Sequence, residues 1–230
     1  MDITRATLAA SIDQTLLKPV AGFGAGAEWL AASANAGFAA VCISPFLVPL
    51  ASQILAGTST KVCSVVAFPL GYSLTETKAD EARALIGLGC QEIDMVMNIA
   101  AFLEGETRFV QEDIAAVVAT VAEETHGAGI VKVILETGYL TPEQVAEASR
   151  TALAAGADYV KTSTGFGPRG ASIEDVRIMR ETVGERAGVK AAGGIRDLAT
   201  ARAMLGAGAS RIGTSSGLEI LAAWDAEGGV

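Results

Sequence analysis

Short runs rich in β-branched residues alternate along this chain with longer amphipathic stretches. The short runs predict buried strands, and the longer stretches predict helices that pack one face against a core. Eight strands are predicted, at residues 11–14, 39–43, 61–67, 92–97, 131–135, 158–162, 189–192 and 210–213. Eight helices are predicted, at residues 25–36, 45–55, 76–88, 107–124, 142–155, 172–183, 198–205 and 216–223.

Strands that are each followed by a helix predict an α/β fold, a (β/α)₈ TIM barrel. We also expect a short N-terminal helix. No linker, low-complexity run or charge block divides the chain, so we predict one domain over residues 1–230. A doubly wound open sheet is the alternative. The glycine-rich run at 22–26 loosely resembles a dinucleotide-binding loop, but it follows Lys18-Pro19 and not a buried strand, so we give it no weight.

Lys161 lies in the middle of a predicted strand, Tyr159-Val160-Lys161-Thr162. Burying an unpaired ammonium is strongly unfavourable, whereas a lysine that loses its proton is a nucleophile. The sequence therefore predicts an enzyme that forms a Schiff base on Lys161. A structural lysine paired with a carboxylate is the alternative for any single buried lysine.

Several further ionisable residues lie on or just after other predicted strands. In a barrel of this type the carboxyl ends of the strands meet at one face and carry the chemistry. Lys190 is on the next strand after Lys161, where its positive charge would disfavour protonation of the Lys161 amine. Asp94 offers a carboxylate for proton transfer. The full set is Asp13, Cys42, Asp94, Lys132, Lys161 and Lys190.

Two glycine-rich segments follow the last two predicted strands, at 193–194 and 213–217. Loops at these places, with a helix N-terminus behind them, commonly bind phosphate in TIM barrels. The helix that begins near Ser216 would supply the dipole. Ordinary turn glycines are the alternative at either loop, and Arg169 is either a phosphate contact or a solvated loop arginine.

Charge and composition exclude several classes of function. A net charge of −9 argues against nucleic-acid binding, which needs a basic surface. The single histidine, His126, leaves no Ser-His-Asp triad and no HExxH zinc motif. No apolar run is long enough to span a membrane, and the N-terminus is too polar for a signal peptide. Cys42, Cys63 and Cys90 form no CxxC pair, which argues against zinc and disulfides and favours a cytoplasmic protein.

Five segments together resemble the deoxyribose-phosphate aldolase family, and the resemblance runs over about residues 11–220. They are the segments at 12–19, 92–98, 132–137, 160–166 and 189–196, of which Val160-Lys161-Thr162-Ser163-Thr164-Gly165-Phe166 and Val189-Lys190-Ala191-Ala192-Gly193-Gly194 are the most specific in combination. One departure is Gln14, where the family usually has histidine.

The resemblance implies a class I aldolase that needs no metal or cofactor and reversibly cleaves 2-deoxy-D-ribose 5-phosphate to glyceraldehyde 3-phosphate and acetaldehyde. It implies that Lys161 is the Schiff-base nucleophile and that Asp94 and Lys190 donate and accept protons. The expected substrate- and phosphate-binding residues are Gly165, Gly193, Gly194, Ser215, Cys42 and Lys132. A homodimer is plausible for this fold.

Two other functions stay open. One is a Schiff-base lyase with a keto-acid or ketone donor, for which we find no carboxylate-binding arginine on a strand near Lys161. The other is a barrel that binds a sugar phosphate without catalysis, which would tolerate Lys161→Arg.

Overall fold

The computed structural model describes residues 3–228, in which eight parallel strands close into a barrel in chain order. The strands are β1 (Ile12–Leu16), β2 (Ala40–Ile43), β3 (Lys61–Val66), β4 (Glu92–Val96), β5 (Ile130–Ile134), β6 (Tyr159–Lys161), β7 (Gly188–Ala192) and β8 (Arg211–Thr214). Because β1 pairs with β8, the sheet has no free edge. The predicted (β/α)₈ barrel is confirmed, and the open-sheet alternative is excluded.

Ten α-helices surround the barrel over the described residues. They are α1 (Arg5–Ala9), α2 (Phe23–Ser33), α3 (Val48–Ile54), α4 (Thr75–Gly87), α5 (Ile99–Leu103), α6 (Thr107–Glu124), α7 (Pro142–Ala154), α8 (Ile173–Val183), α9 (Leu198–Gly206) and α10 (Gly217–Ala226). Helix α1 is the expected short N-terminal helix. None of the helices within residues 3–228 is long and apolar enough to cross a membrane.

The structure adds elements that the sequence pattern did not predict. Helix α5 has only five residues and follows β4, with the Asn98 side chain accepting a hydrogen bond from the N–H of Ala101. A short 3₁₀ turn lies at Thr137–Tyr139, and another at Pro45–Leu47 forms the start of the helical segment predicted over 45–55. Elements this short show too few turns for a hydrophobic period to be recognised.

The last helix is longer than predicted. It continues past residue 223 to Ala226 because Trp224 is buried in the core at 3% exposure. The guanidinium of Arg202 lies 4.7 Å from the centroid of the Trp224 ring.

Strand register places charged residues side by side in the barrel interior. Lys161 on β6 pairs with Lys190 on β7, and Asp94 on β4 pairs with Lys132 on β5. Since alternate residues of a strand point to opposite faces, Val160 and Val189 point instead to the helix layer, where both belong to the main apolar core. These strands therefore place charged side chains in the barrel interior and apolar core side chains on their outer face.

Candidate active site

One carboxylate joins the three residues that the sequence predicts to be catalytic. Oδ2 of Asp94 lies 2.7 Å from Nζ of Lys161 and 2.7 Å from Nζ of Lys190. All three side chains are buried: Asp94 and Lys190 are fully enclosed, and the Lys161 side chain is 4% exposed. The two lysines therefore meet at a single oxygen atom.

The structure places Lys132 beneath this group. Its Nζ contacts Oδ1 of Asp94 at 2.9 Å and Oε2 of Glu92 at 2.6 Å, and its side chain is fully buried. Lys132 was predicted to bind substrate, but it does not line the cavity described below. Its contacts are instead with the carboxylates of the barrel interior.

The surrounding lysines decide the charge of Asp94. Burial alone would raise the pKa of this carboxyl, but Lys132, Lys161 and Lys190 hold the pKa well below its usual range. The same attraction raises the pKa of Lys190. Burial alone would lower the pKa of Lys190, but the carboxylates of Asp13 and Asp94 raise it above its usual range. Asp94 and Lys190 are therefore both charged at neutral pH.

Two cysteines that are distant in sequence are brought beside Asp94. Cys42 and Cys63 are register partners on β2 and β3. Sγ of Cys63 lies 3.2 Å from Oδ1 of Asp94, and Sγ of Cys42 lies 3.8 Å from Oδ2. These sulfur and oxygen atoms are within 4.8 Å of one another. The ammonium groups of Lys132 and Lys190 beside Asp94 make a positive surrounding that disfavours a divalent cation.

A cavity of about 560 Å³ opens above Lys161 at the carboxyl ends of β1, β6, β7 and β8. Lys161 contributes to its floor. The loops around it carry four residues that the sequence predicts to bind phosphate: Gly165, Gly193, Gly194 and Ser215. Helix α10 begins two residues after Ser215, as expected. Cys42 was also predicted to bind substrate, but it is fully buried and does not line the cavity.

Three glycines of these loops have a backbone that favours glycine. Their φ angles are +88° at Gly165, +95° at Gly193 and +82° at Gly194. A Cβ at Gly193 would also lie 2.9 Å from Cα of Gly170, whereas a Cβ at Gly194 would meet open space. A side chain would therefore crowd the loop at Gly193, while at Gly165 and Gly194 the left-handed backbone alone favours glycine.

Sequence reasoning did not assign two cations at the mouth of the cavity. Lys18 and Arg196 both line it, and both are exposed. Arg196 comes directly after Gly193-Gly194-Ile195, so its position after β7 was the available signal. No strand carries it, which is why the search for an arginine on a strand near Lys161 missed it.

The contacts of Arg169 and Gln14 indicate what these two side chains do in the fold. Arg169 was expected to contact phosphate or to be a solvated loop arginine. Its side chain is 43% exposed, and its guanidinium also donates to Asp175 and to the carbonyl of Thr137, which fixes the loop after β6 to α8. Oε1 of Gln14 accepts a hydrogen bond from the backbone N–H of Gly217 at 2.8 Å. Gln14 thus attaches the start of α10 to β1 through a neutral amide, with no need for an imidazole.

Comparison with known proteins gives one family. A family model described as DeoC/LacD family aldolase matches residues 7–223. A deoxyribose-phosphate aldolase of Caldanaerobacter subterraneus subsp. tengcongensis is 49% identical over 221 residues, which cover 96% of this chain and 95% of that protein. A deoxyribose-phosphate aldolase of Streptococcus mutans is 48% identical over 210 residues, covering 91% and 93%.

A solved structure agrees in fold and in sequence. The deoxyribose phosphate aldolase from Aeropyrum pernix, described as a tetramer, superposes with a TM-score of 0.89 at 30% identity, covering 97% of this chain and 93% of that one. The family match and the curated relatives extend over nearly the whole barrel, including every strand that carries the buried charges. The chain therefore belongs to the DeoC/LacD family of aldolases.

Proposed function

We propose that this protein is a class I aldolase that reversibly cleaves 2-deoxy-D-ribose 5-phosphate into glyceraldehyde 3-phosphate and acetaldehyde. One observation carries the proposal: the buried Nζ of Lys161 lies at the floor of an open cavity and shares one carboxylate oxygen with a second lysine. Relatives at 48–49% identity bear the name of this activity.

The proposed reaction begins at the aldehyde carbon of the open-chain sugar. The neutral amine of Lys161 attacks this carbon, and the resulting carbinolamine loses water to give an iminium. Asp94 and Lys190 carry the protons in this step, because Oδ2 of Asp94 lies 2.7 Å from Nζ of Lys190 and 2.7 Å from Nζ of Lys161. Their opposite charges give one acceptor and one donor.

Carbon–carbon cleavage follows from the iminium. Removal of the proton from the C3 hydroxyl breaks the C2–C3 bond, and the electron pair moves into the iminium to form an enamine on Lys161. Glyceraldehyde 3-phosphate leaves, the enamine is protonated at carbon, and water releases acetaldehyde and the free amine. The enamine has only two carbons, which suits a lysine buried as deeply as Lys161.

The phosphate of the substrate is proposed to lie against the loops after β6, β7 and β8. Gly165, Gly193, Gly194 and Ser215 supply backbone and hydroxyl donors there, and the N-terminus of the ten-residue helix α10 is behind them. Lys18 and Arg196 add positive charge at the mouth. The loop donors, the N-terminus of α10 and the two cations all favour binding of a dianionic phosphate.

We also propose one barrel domain over the full chain, a cytoplasmic location and a homodimer. The three cysteines are free and buried, in keeping with a reducing compartment. The proposed chemistry uses only lysine and carboxylate groups, so it requires neither a metal nor an organic cofactor, and no nucleic-acid or membrane partner takes part.

Turnover with defined substrates tests this function. Purified protein in the presence of EDTA should release acetaldehyde from 2-deoxy-D-ribose 5-phosphate, and in reverse should condense acetaldehyde with glyceraldehyde 3-phosphate. Pyruvate and acetone, offered as donors in place of acetaldehyde, should give far slower condensation. Faster condensation with pyruvate would favour the keto-acid lyase, with Arg196 as the carboxylate-binding group. Binding of the sugar phosphate without any turnover would favour the non-catalytic barrel.

A further inference from the structure

A second layer of charge lies below Lys132 and Lys190, towards the amino ends of the strands. Its central residue is Arg211 at the start of β8, whose guanidinium contacts Oδ1 of Asp13 at 2.5 Å and Oε1 of Glu92 at 3.3 Å. The Arg211 side chain is 13% exposed, and its Cζ lies 5.7 Å from the centroid of the Tyr159 ring. The residue therefore closes the floor of the barrel with its charge directed inwards.

Both carboxylates of this layer also contact a lysine of the layer above. Oδ2 of Asp13 lies 2.5 Å from Nζ of Lys190, and Oε2 of Glu92 lies 2.6 Å from Nζ of Lys132. These are ionic contacts without hydrogen-bond geometry. The two lysines then meet at Asp94. The result is a closed ring of alternating charge, called the ion ring below: Arg211, Asp13, Lys190, Asp94, Lys132 and Glu92.

The ion ring is electrically neutral, with three cations and three carboxylates. Lys161 contacts it from outside, through Asp94 alone. Every cation of the ring has at least two carboxylate partners, and Lys132 has a third in Asp13 at 3.6 Å. Within residues 3–228, the one carboxylate paired with Lys161 is already shared with Lys132 and Lys190. A protonated Lys161 would give this buried group a net charge of +1, and a neutral Lys161 would leave it uncharged. Burying a net charge is unfavourable, so the balance favours the reactive amine.

We propose that Glu92 and Arg211 are positioning residues of the reaction, because their charges complete a neutral ring and thereby set the pH at which Lys161 becomes a nucleophile. Neither residue lines the cavity above Lys161. They act through Lys132, Asp13 and Asp94. The inference deepens the proposed function and rests on it.

Other titratable groups face the same region. Cys42 and Cys63 lie beside Asp94 on β2 and β3, and Tyr159 lies on β6 below Lys161. Lys18, Arg196 and Glu219 line the open side of the cavity, where solvent screens them. None of these belongs to the ion ring, and of them only Tyr159 contacts a residue substituted at its floor, namely Arg211.

The test is the pH dependence of kcat/KM for cleavage of 2-deoxy-D-ribose 5-phosphate, whose acid limb reports ionisation of the free enzyme. Glu92→Gln removes a negative charge and should move the acid limb to lower pH by about one unit. Arg211→Gln removes a positive charge and should move it to higher pH by about the same amount. The double variant restores neutrality and should return the limb to its wild-type position.

Matched controls separate charge from folding. Arg211→Lys keeps the charge and should keep the wild-type profile. Arg83 and Glu124 form an ion pair at 3.2 Å on the outer helices α4 and α6, so Arg83→Gln and Glu124→Gln make the same changes of total charge away from the ion ring and should not move the limb. The pH profiles of kcat/KM are compared only among variants that elute and melt like the folded wild-type enzyme.

The outcomes are distinguishable. Opposite shifts in the two single variants, cancelled in the double variant, support the proposal. Shifts in the same direction, or no shift in folded single variants, overturn it while leaving the proposed function intact. If the single variants do not fold, the folded double variant must still match the wild-type limb, and a displaced limb overturns the proposal. Absence of cleavage by the wild-type protein overturns both the inference and the proposed function.

Discussion

Lys161 and Lys190 are register partners on neighbouring strands, and their Nζ atoms are each 2.7 Å from the same oxygen of Asp94. Parallel pairing of β6 with β7 fixes this relationship, because residues opposite each other on adjacent strands point to the same side of the sheet. The three groups are therefore held by the barrel backbone and not by loops. The predictions below depend on this arrangement and on the charge around it.

Removing the charge of Asp94 should affect both turnover and stability. We expect Asp94→Asn to lower kcat by at least about 100-fold, since it removes a proton acceptor next to Lys161. It should also destabilise the fold by about 3–5 kcal/mol, because the buried ammonium groups of Lys132 and Lys190 lose their shared carboxylate. Steady-state cleavage assays and urea unfolding measure the two effects.

Asp113→Asn is the matched control for that substitution. Asp113 is buried at 1% exposure and pairs with Nζ of Lys78 at 2.6 Å, between α6 and α4 and outside the cavity. Asp113→Asn should destabilise the fold by about as much as Asp94→Asn, while the folded protein keeps the wild-type kcat. Equal losses of kcat in the two variants would show that the effect of Asp94→Asn is structural.

The Lys78–Asp113 pair gives a separate stability prediction. Lys78 also donates to the carbonyl of Val96 at 3.2 Å, so it attaches α4 to the end of β4. Lys78→Met alone should cost about 3–5 kcal/mol by leaving a buried carboxylate unpaired, whereas Lys78→Met combined with Asp113→Leu should recover most of that loss. Urea midpoints compare the three proteins, and a double variant less stable than the single one would contradict this account.

Much of this arrangement could be predicted from the sequence. Lys161, Lys190 and Asp94 each interrupt an apolar run, and a charge in a buried strand is a strong signal because it is unfavourable without a partner. The order of strands and helices then placed Lys161 beside Lys190. Eight repeats of one pattern are enough to predict a barrel even where single boundaries differ by several residues.

The rest depends on contacts between segments distant in sequence. Cys42 and Cys63 form no sequence motif, and only the register of β2 with β3 brings them together. Glu92 and Arg211 lie at strand starts, where a charged residue usually faces solvent, so their direction into the barrel carried no clear signal. Glu92 lies two positions before Asp94 and so shares its face, which was the one available indication.

Acid should unfold the protein over a defined range. Burial raises the pKa of Asp13, but Lys190, Lys132 and Arg211 lower it to about 2 in the fold, against about 3.9 in an unfolded chain. Because the folded value is lower, this carboxylate stabilises the fold fully above about pH 5 and loses most of its contribution, about 2–3 kcal/mol, as the pH falls towards 2. Asp94 acts in the same direction.

Urea midpoints measured from pH 7 to pH 2 check this prediction. They should stay nearly constant down to about pH 5 and then fall steeply below pH 4. A decline that is complete above pH 5 would mean that other groups control acid stability.

A negative charge beside α10 should interfere with phosphate binding. Ser215 is exposed in the cavity wall two residues before α10 begins. We expect Ser215→Asp to raise KM for 2-deoxy-D-ribose 5-phosphate about tenfold or more by repulsion, with kcat little changed. Cleavage of unphosphorylated 2-deoxy-D-ribose should be unaffected.

The same substitution at Ser59 is the control. Ser59 is exposed just before β3, at the opposite end of the barrel, so Ser59→Asp should leave both substrates at wild-type KM. A similar rise in KM for the unphosphorylated sugar in Ser215→Asp would place the phosphate elsewhere.

Chemical trapping on Lys161 tests the central claim most directly. The protein is incubated with acetaldehyde and sodium borohydride, and the modified residue is located by peptide mapping. The account predicts a two-carbon adduct on Lys161 in the wild-type protein and none at that position in Lys161→Arg, whose guanidinium stays protonated. Trapping on another lysine, or no adduct with acetaldehyde at all, would contradict it.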